Sequence, residues 1–186
     1  GKPLCYDIPV LQSVIDHTAA RALYLFPTKA LSQDQLASFR ELAEAADISV
    51  AAGVYDGDTP VPIRNNIRSA GQVVVTNPDM LHSAILPHHT KWFQLFEQLQ
   101  LIVVDELHTY RGVFGSHVAN VLRRLMRICA HYGSTPVIVC CSATIGNPAE
   151  LARMLTGRPA RLVDRNGAPA GERHVLLVDP PVMEPA

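Results

Sequence analysis

No apolar stretch in this 186-residue chain reaches the roughly 18 residues a membrane-spanning helix needs. No secretory leader is legible either. Together these point away from a membrane protein and toward a cytoplasmic one. The four cysteines, Cys5, Cys129, Cys140 and Cys141, show no CxxC spacing, and two of them fall inside an apolar run. That pattern excludes a zinc ribbon and a disulfide frame, and it reads as reduced, mostly buried thiols. Charge of one sign is also lacking. Net charge is -1 and the sequence pI is near 6.8, so there is no global nucleic-acid footprint and any such surface must be local. Internal repeats and low-complexity segments are absent. His82, His88 and His89 have no carboxylate or cysteine at ligand spacing, which argues against a metal site there. The chain opens Gly-Lys and not Met, so it is expected to be a piece of something longer.

What is present suits one globular domain. At 48% hydrophobic and 18% charged, a chain of this size can bury roughly 70% of its unfolded surface. Short apolar runs alternate with longer amphipathic ones. Strands are predicted at 21–26, 48–55, 72–76, 101–104 and 137–141. Helices are predicted at 31–46, 77–86, 92–99, 114–130 and 148–155. In the helix at 114–130, Phe114, Val118, Val121, Leu122, Leu125 and Cys129 form one apolar stripe. This alternation predicts an α/β domain with a mainly parallel sheet and right-handed crossovers. From Arg158 onward prolines and glycines break the chain up, and the segment reads as a linker carrying one strand, 175–178, that leads away from the main sheet.

The run Leu101-Ile102-Val103-Val104-Asp105-Glu106-Leu107-His108 carries the most chemistry. A doubly buried strand ends in two adjacent carboxylates. Hydrated Mg²⁺ accepts one or two carboxylates together with substrate phosphates. In a nucleoside-triphosphatase the first acid would hold the metal and the second would take a proton from the attacking water. The bland alternative is a solvated acidic turn. Ligands of open parallel sheets bind outside the carboxyl ends of the strands. That rule gathers Pro27-Thr28-Lys29, Thr76-Asn77-Pro78-Asp79, Asp105-Glu106-Leu107-His108 and Ser142-Ala143-Thr144 along one edge.

Those ordered segments, with Gly1-Lys2 before them, resemble the first RecA-like domain of superfamily 2 helicases of the DEAD/DEAH-box type. The stretch 105–124, DELHTYRGVFGSHVANVLRR, is similar to the Lhr-like and YprA (mitomycin-repair-type) DNA helicases. The resemblance implies a three-layer RecA-like P-loop domain over residues 1–157, helices on both faces, and a linker at 158–186 toward a second RecA-like domain. It implies ATP and Mg²⁺ as cofactors. Gly1 and Lys2 would be the end of a phosphate loop. Asp105 would hold Mg²⁺ and Glu106 would polarise the water. His108, Ser142, Ala143 and Thr144 would couple nucleotide state to nucleic acid.

Thr28, Lys29, Gly57, Thr76, Asn77 and Asp79 would lie along a single-stranded or partly duplex nucleic acid, DNA before RNA, touching phosphates and not bases. Asp79, being acidic, would cap a helix and orient its neighbours. Gly57 sits between two acids, so a plain turn competes there. Arg64 with Arg68, and Arg123, Arg124 and Arg127, read first as solvated helix faces. One departure matters: Pro3 stands where the family carries a Ser or Thr that ligates Mg²⁺. Two further readings compete: a non-catalytic nucleic-acid-binding or scaffolding module on a degenerate version of the fold, and a different P-loop motor of the ABC or AAA type. The Pro-Thr-Lys and Thr-Asn-Pro-Asp segments argue against the latter.

Overall fold

A computed structural model describes residues 2–164, 167, 171 and 174–178. Its centre is a five-stranded sheet, ordered β2-β3-β1-β4-β5, in which every pairing is parallel. The strands are β1 (Arg21–Leu25), β2 (Ala52–Val54), β3 (Val73–Thr76), β4 (Leu99–Val104) and β5 (Val137–Cys140). The expected α/β class and parallel sheet are what the structure has, and all carboxyl ends lie along one edge.

Strand side chains alternate between two apolar layers, as the pleat requires. Ala22, Tyr24, Val73, Val75 and Val103 face α1 (Leu4–Asp16) and α2 (Lys29–Ala45), which contribute Tyr6, Val10, Leu36 and Phe39. Leu23, Leu25, Val74, Ile102 and Val104 face the other layer, built largely from α6 (Gly112–His131), α7 (Pro148–Thr156) and the connection 81–97. α3 (Val61–Ala70) adds Ile67 to that second layer. α6 starts against the Tyr110 carbonyl at Gly115, where any Cβ would collide with that oxygen.

Several elements differ from expectation, each for a local reason. α1 lies outside the helices that periodicity predicts, although a phosphate loop implies a helix after Lys2; Pro3 sits at its N-cap with helical torsions. The single helix expected at 77–86 is a short α4 (Pro78–Met80), a π-turn (Leu81–Ile85) and a 3₁₀ stretch (Leu86–Trp92) kinked at His88. Pro87 lacks an N–H and its ring crowds the carbonyl four residues back, so a regular helix cannot run through. α5 (Phe93–Glu97) ends early because Leu99 joins β4 and pairs with Arg21. β5, expected to be buried, is an edge strand bonded only to β4, and its Val137 is 63% exposed. Cys140 and Cys141 are correspondingly half-buried, Cys5 is exposed and only Cys129 is buried. Phe114 leaves the buried stripe of α6 and is 42% exposed. Residues 175–178 carry no strand pairing here, and their four side chains are exposed. No helix among the described residues is long and apolar enough to cross a membrane.

Candidate functional site

β4 delivers Asp105 to the carboxyl edge, where its N–H still donates to Leu25 O of β1 at 3.1 Å. The chain then turns sharply. Glu106 adopts left-handed torsions (φ 52°, ψ 43°), a conformation that costs a non-glycine residue on the order of 1 kcal/mol and clusters at functional sites. Asp105 Oδ1 stabilises the turn by accepting the Glu106 N–H at 2.8 Å. The carboxylate is 5% exposed and has no cationic partner among the described residues.

Its second oxygen is held from behind. The Tyr6 hydroxyl donates to Asp105 Oδ2 at 3.1 Å and also lies 3.2 Å from Gln35 Oε1. Next to Tyr6, Asp7 is buried and accepts from the Tyr24 hydroxyl at 2.9 Å. The Tyr6 and Tyr24 rings meet edge-on at 5.4 Å. Burial pushes the Asp7 carboxyl up to about 6; the Tyr24 hydrogen bond opposes this and the Asp105 charge adds to it. Both phenols are held far above their ordinary range, first by burial. Sequence reasoning missed Tyr6, Asp7, Gln35 and Tyr24. The helical period could have flagged Asp7, which shares a stripe with Val10, Leu11 and Val14 at spacings of three, four and seven.

The DELH turn is stitched to the segment after β5. Leu107 N–H donates to Cys141 O at 2.8 Å, and Cys141 N–H to Val104 O at 2.9 Å. His108 Nδ1 accepts the Ala143 N–H at 3.3 Å. A ring nitrogen that accepts cannot carry the proton, so Nε2 carries it and donates to Glu106 Oε2 at 3.2 Å. Glu106, His108 and Ala143 thus form one chain of contacts. Ser142 Oγ and Tyr110 Oη are buried near it without a hydrogen-bond partner among the described residues. Thr144 is exposed. Lys2 is exposed, and its charge reaches the Cys141 thiol, which burial and Asp105 push up to about 12. Gly1 lies outside the described residues.

The second group of expected residues lies beside β1 and β3. The Thr28 side chain caps α2 by accepting the Leu31 N–H at 3.3 Å. Lys29 Nζ is ion-paired to Asp58 Oδ2 at 2.6 Å. Asn77 caps α4 by accepting the Met80 N–H at 2.8 Å. That corrects the capping role expected of Asp79, which is exposed in the first turn. Thr76 is also not what was expected. Its hydroxyl is buried and donates to Tyr55 O at 2.7 Å, so the side chain ties β3 to the segment after β2.

Gly57 is exposed in a turn that Asp56 organises by accepting the N–H groups of Asp58 and Thr59. Arg64 is no solvated face. It donates to Thr59 O at 2.6 Å and Gly57 O at 3.2 Å and clamps this loop.

A parallel sheet with paired carboxylates at its carboxyl edge, laced to a Ser-Ala-Thr segment that follows the next strand, is the architecture of a RecA-like domain. The chain belongs to the DEAD/DEAH box helicase family, whose model matches residues 1–151. It is 62% identical over 183 residues to an uncharacterized ATP-dependent helicase, YprA, of Bacillus subtilis, covering 98% of this chain and 24% of the relative. Its fold matches the crystal structure of a DUF1998 helicase, MrfA, bound to DNA and AMPPNP. There the TM-score is 0.89 at 64% identity, over 92% of this chain and 24% of that one. The helicase Lhr of Mycobacterium smegmatis, bound to ssDNA and AMP-PNP, matches with a TM-score of 0.67 at 27% identity, over 86% of this chain and 22% of that one. The Lhr-like and YprA-like resemblance read from the motifs therefore holds. The chain spans about a quarter of the length of these relatives.

Proposed function

We propose that this chain is the N-terminal motor half of an ATP-dependent DNA helicase, coupling ATP binding and hydrolysis to movement along one strand. The observation that carries the reading is the contact chain Glu106–His108–Ala143, which links the carboxylate turn to the Ser-Ala-Thr segment. A scaffold has no use for a buried, unpaired carboxylate beside a left-handed glutamate, so the non-catalytic alternative is not favoured. Residues 1–157 form the motor domain in this reading, and 158–186 lead to a second RecA-like domain.

Asp105 fits a divalent cation: it is buried, oriented by two hydrogen bonds and without a counter-charge. Pro3 fits less well, since it offers no hydroxyl. Lys2 would reach the nucleotide's phosphates with Gly1 beside it, and Asp105 would hold Mg²⁺. The cation would neutralise charge on the β- and γ-phosphates. Glu106 Oε would orient the attacking water and take its proton. His108 holds Glu106 in place, with Ser142 and Thr144 alongside on the path to the strand. Thr28, Lys29, Gly57 and Asn77 would lie along backbone phosphates of single-stranded or partly duplex DNA, with Asn77 also setting the start of α4. The DNA assignment is supported by the DNA-bound relatives.

Charge on the transferring phosphoryl needs an arginine from a second domain, an effect on the order of 10³–10⁵ in rate. Phosphate release by residues 1–186 alone is therefore expected below about 1 s⁻¹, the low end of ordinary turnover, with or without single-stranded DNA. The full-length protein should turn over faster when DNA is added. A full-length protein indifferent to DNA, or a DNA-stimulated fragment above that rate, would overturn the reading.

A further inference from the structure

Between α4 and its π-turn on one side and α6 on the other lies an open groove of about 430 Å³. Pro78, Asp79 and His82 line one wall; Phe114, Val121, Arg124 and Arg127 stand along the other. Nothing in the nucleotide chemistry uses it. Its walls are mostly apolar, yet it carries two arginines three residues apart on one helix, which makes them neighbours about 5–6 Å apart at Cβ. Neither makes a hydrogen bond or ion pair among the described residues, so both guanidinium groups are free to meet a ligand. The Phe114 ring is 42% exposed at the other end. From Phe114 to Arg127 α6 advances about 20 Å at 1.5 Å per residue, a length that takes several nucleotides.

We propose that this groove is a second seat for single-stranded DNA, with Arg124 and Arg127 on backbone phosphates and Phe114 against a base. The proposal rests on the reading that a strand runs past Asn77, and it extends that track. The helix Asn77 caps continues directly into the groove wall, so a strand leaving Asn77 meets the groove without crossing the sheet. Charge selects the occupant. Two unpaired guanidinium groups against one carboxylate, Asp79, with His82 and His117 beside them, favour a polyanion. An exposed aromatic supplies a sequence-tolerant stacking platform. Phe114 also lies against Tyr110, with ring centroids 5.6 Å apart. The Tyr110 hydroxyl is buried without a partner and is pushed above its usual range by burial and then by Asp105 and Glu106. A base seated on Phe114 would therefore touch the element that packs behind the carboxylate pair.

The test is binding of fluorescein-labelled dT20 to the full-length protein, read by anisotropy across a range of KCl concentrations. The double variant Arg124→Ala/Arg127→Ala should lower the log–log salt slope by about 1.4, near 0.7 per phosphate on a single strand. Arg124→Lys/Arg127→Lys should keep the slope, which separates charge from a merely structural role. Phe114→Ala should weaken dT20 binding about tenfold, within the usual worth of one stacked base, and leave binding of an abasic strand of equal length unchanged. If Lys29→Ala reduces the slope while the arginine variants leave it alone, the groove proposal is overturned and the strand track survives. Slope loss in the lysine variant also overturns it, as does an abasic strand that suffers as much as dT20. If the wild-type protein shows no salt-dependent binding, both readings fall together.

Discussion

The Tyr6 hydroxyl lies 3.1 Å from Asp105 Oδ2, so the helix that follows Lys2 grips the carboxylate at the tip of β4 from behind. α1 and the DELH turn are therefore one mechanical unit, although 99 residues separate the two partners. Tyr6→Phe keeps the ring packing against Tyr24 and removes only this grip. Hydrogen bonds to a buried charge are worth about 1.5–3 kcal/mol, so the urea midpoint should fall by that equivalent with m unchanged. An unaltered midpoint would show that the Tyr6 hydroxyl does not hold the carboxylate.

Asp7 predicts a pH dependence of stability. Its folded-state carboxyl sits near 6 against an ordinary value of 3.8. Well below pH 3.8 it is neutral in both the folded and the unfolded chain and costs nothing. As pH rises the unfolded chain ionises first, so the folded state loses ground until pH passes the folded value near 6. Asp7→Asn keeps an acceptor for Tyr24 and should remove that decline, gaining about 1–3 kcal/mol at pH 7.5 at roughly 1.4 kcal/mol per unit. Urea unfolding of both proteins at pH 4.5 and 7.5 measures it. A gain equal at both values would point to something other than ionisation.

Glu106→Gln in the full-length protein keeps the contact to His108 and removes the base. Hydrolysis should drop by about 10²–10⁴-fold, the usual worth of general-base catalysis. Binding of Mg-ATP, followed by a fluorescent nucleotide analogue, should survive because Asp105 and Lys2 remain. Loss of nucleotide binding with the fold intact would make Glu106 a binding group.

Lys29 reaches a phosphate only by giving up Asp58, to which it is bonded at 2.6 Å. Asp58→Asn should therefore tighten single-stranded DNA by about 1.5- to 5-fold at low salt, the range expected for an exposed ion pair. The gain should vanish when Lys29→Ala is added, which a double-mutant cycle reads directly. Weaker binding in Asp58→Asn would show that the pair orients Lys29 for DNA and does not compete with it.

The α/β class, the parallel sheet and the placing of four polar clusters on one edge were legible in the linear chain, whereas the strand order β2-β3-β1-β4-β5 was not. Buried parallel strands write themselves as short runs such as Val73–Thr76, and ligand-facing residues must follow strand ends. Asp105, Glu106, His108 and Ser142-Ala143-Thr144 stand as candidates for that reason, and the structure places them just after β4 and β5. Asn77 was readable as a cap because a helix start followed by proline demands a side-chain acceptor; Thr28 caps its helix as well, which begins two residues before the start expected at 31.

What touches these residues was not legible. Tyr6 on Asp105, Asp7 on Tyr24, and Thr76 turned inward onto Tyr55 depend on partners from other elements. Local periodicity says only that a side chain faces the core, not which polar atom it meets there. The same limit hid the half-open flank of β5 and the exposure of Phe114. Burial of a stripe is set by what packs over it. A sequence fixes the spacing of apolar groups along an element, and only the assembled sheet and helices decide which of them are covered.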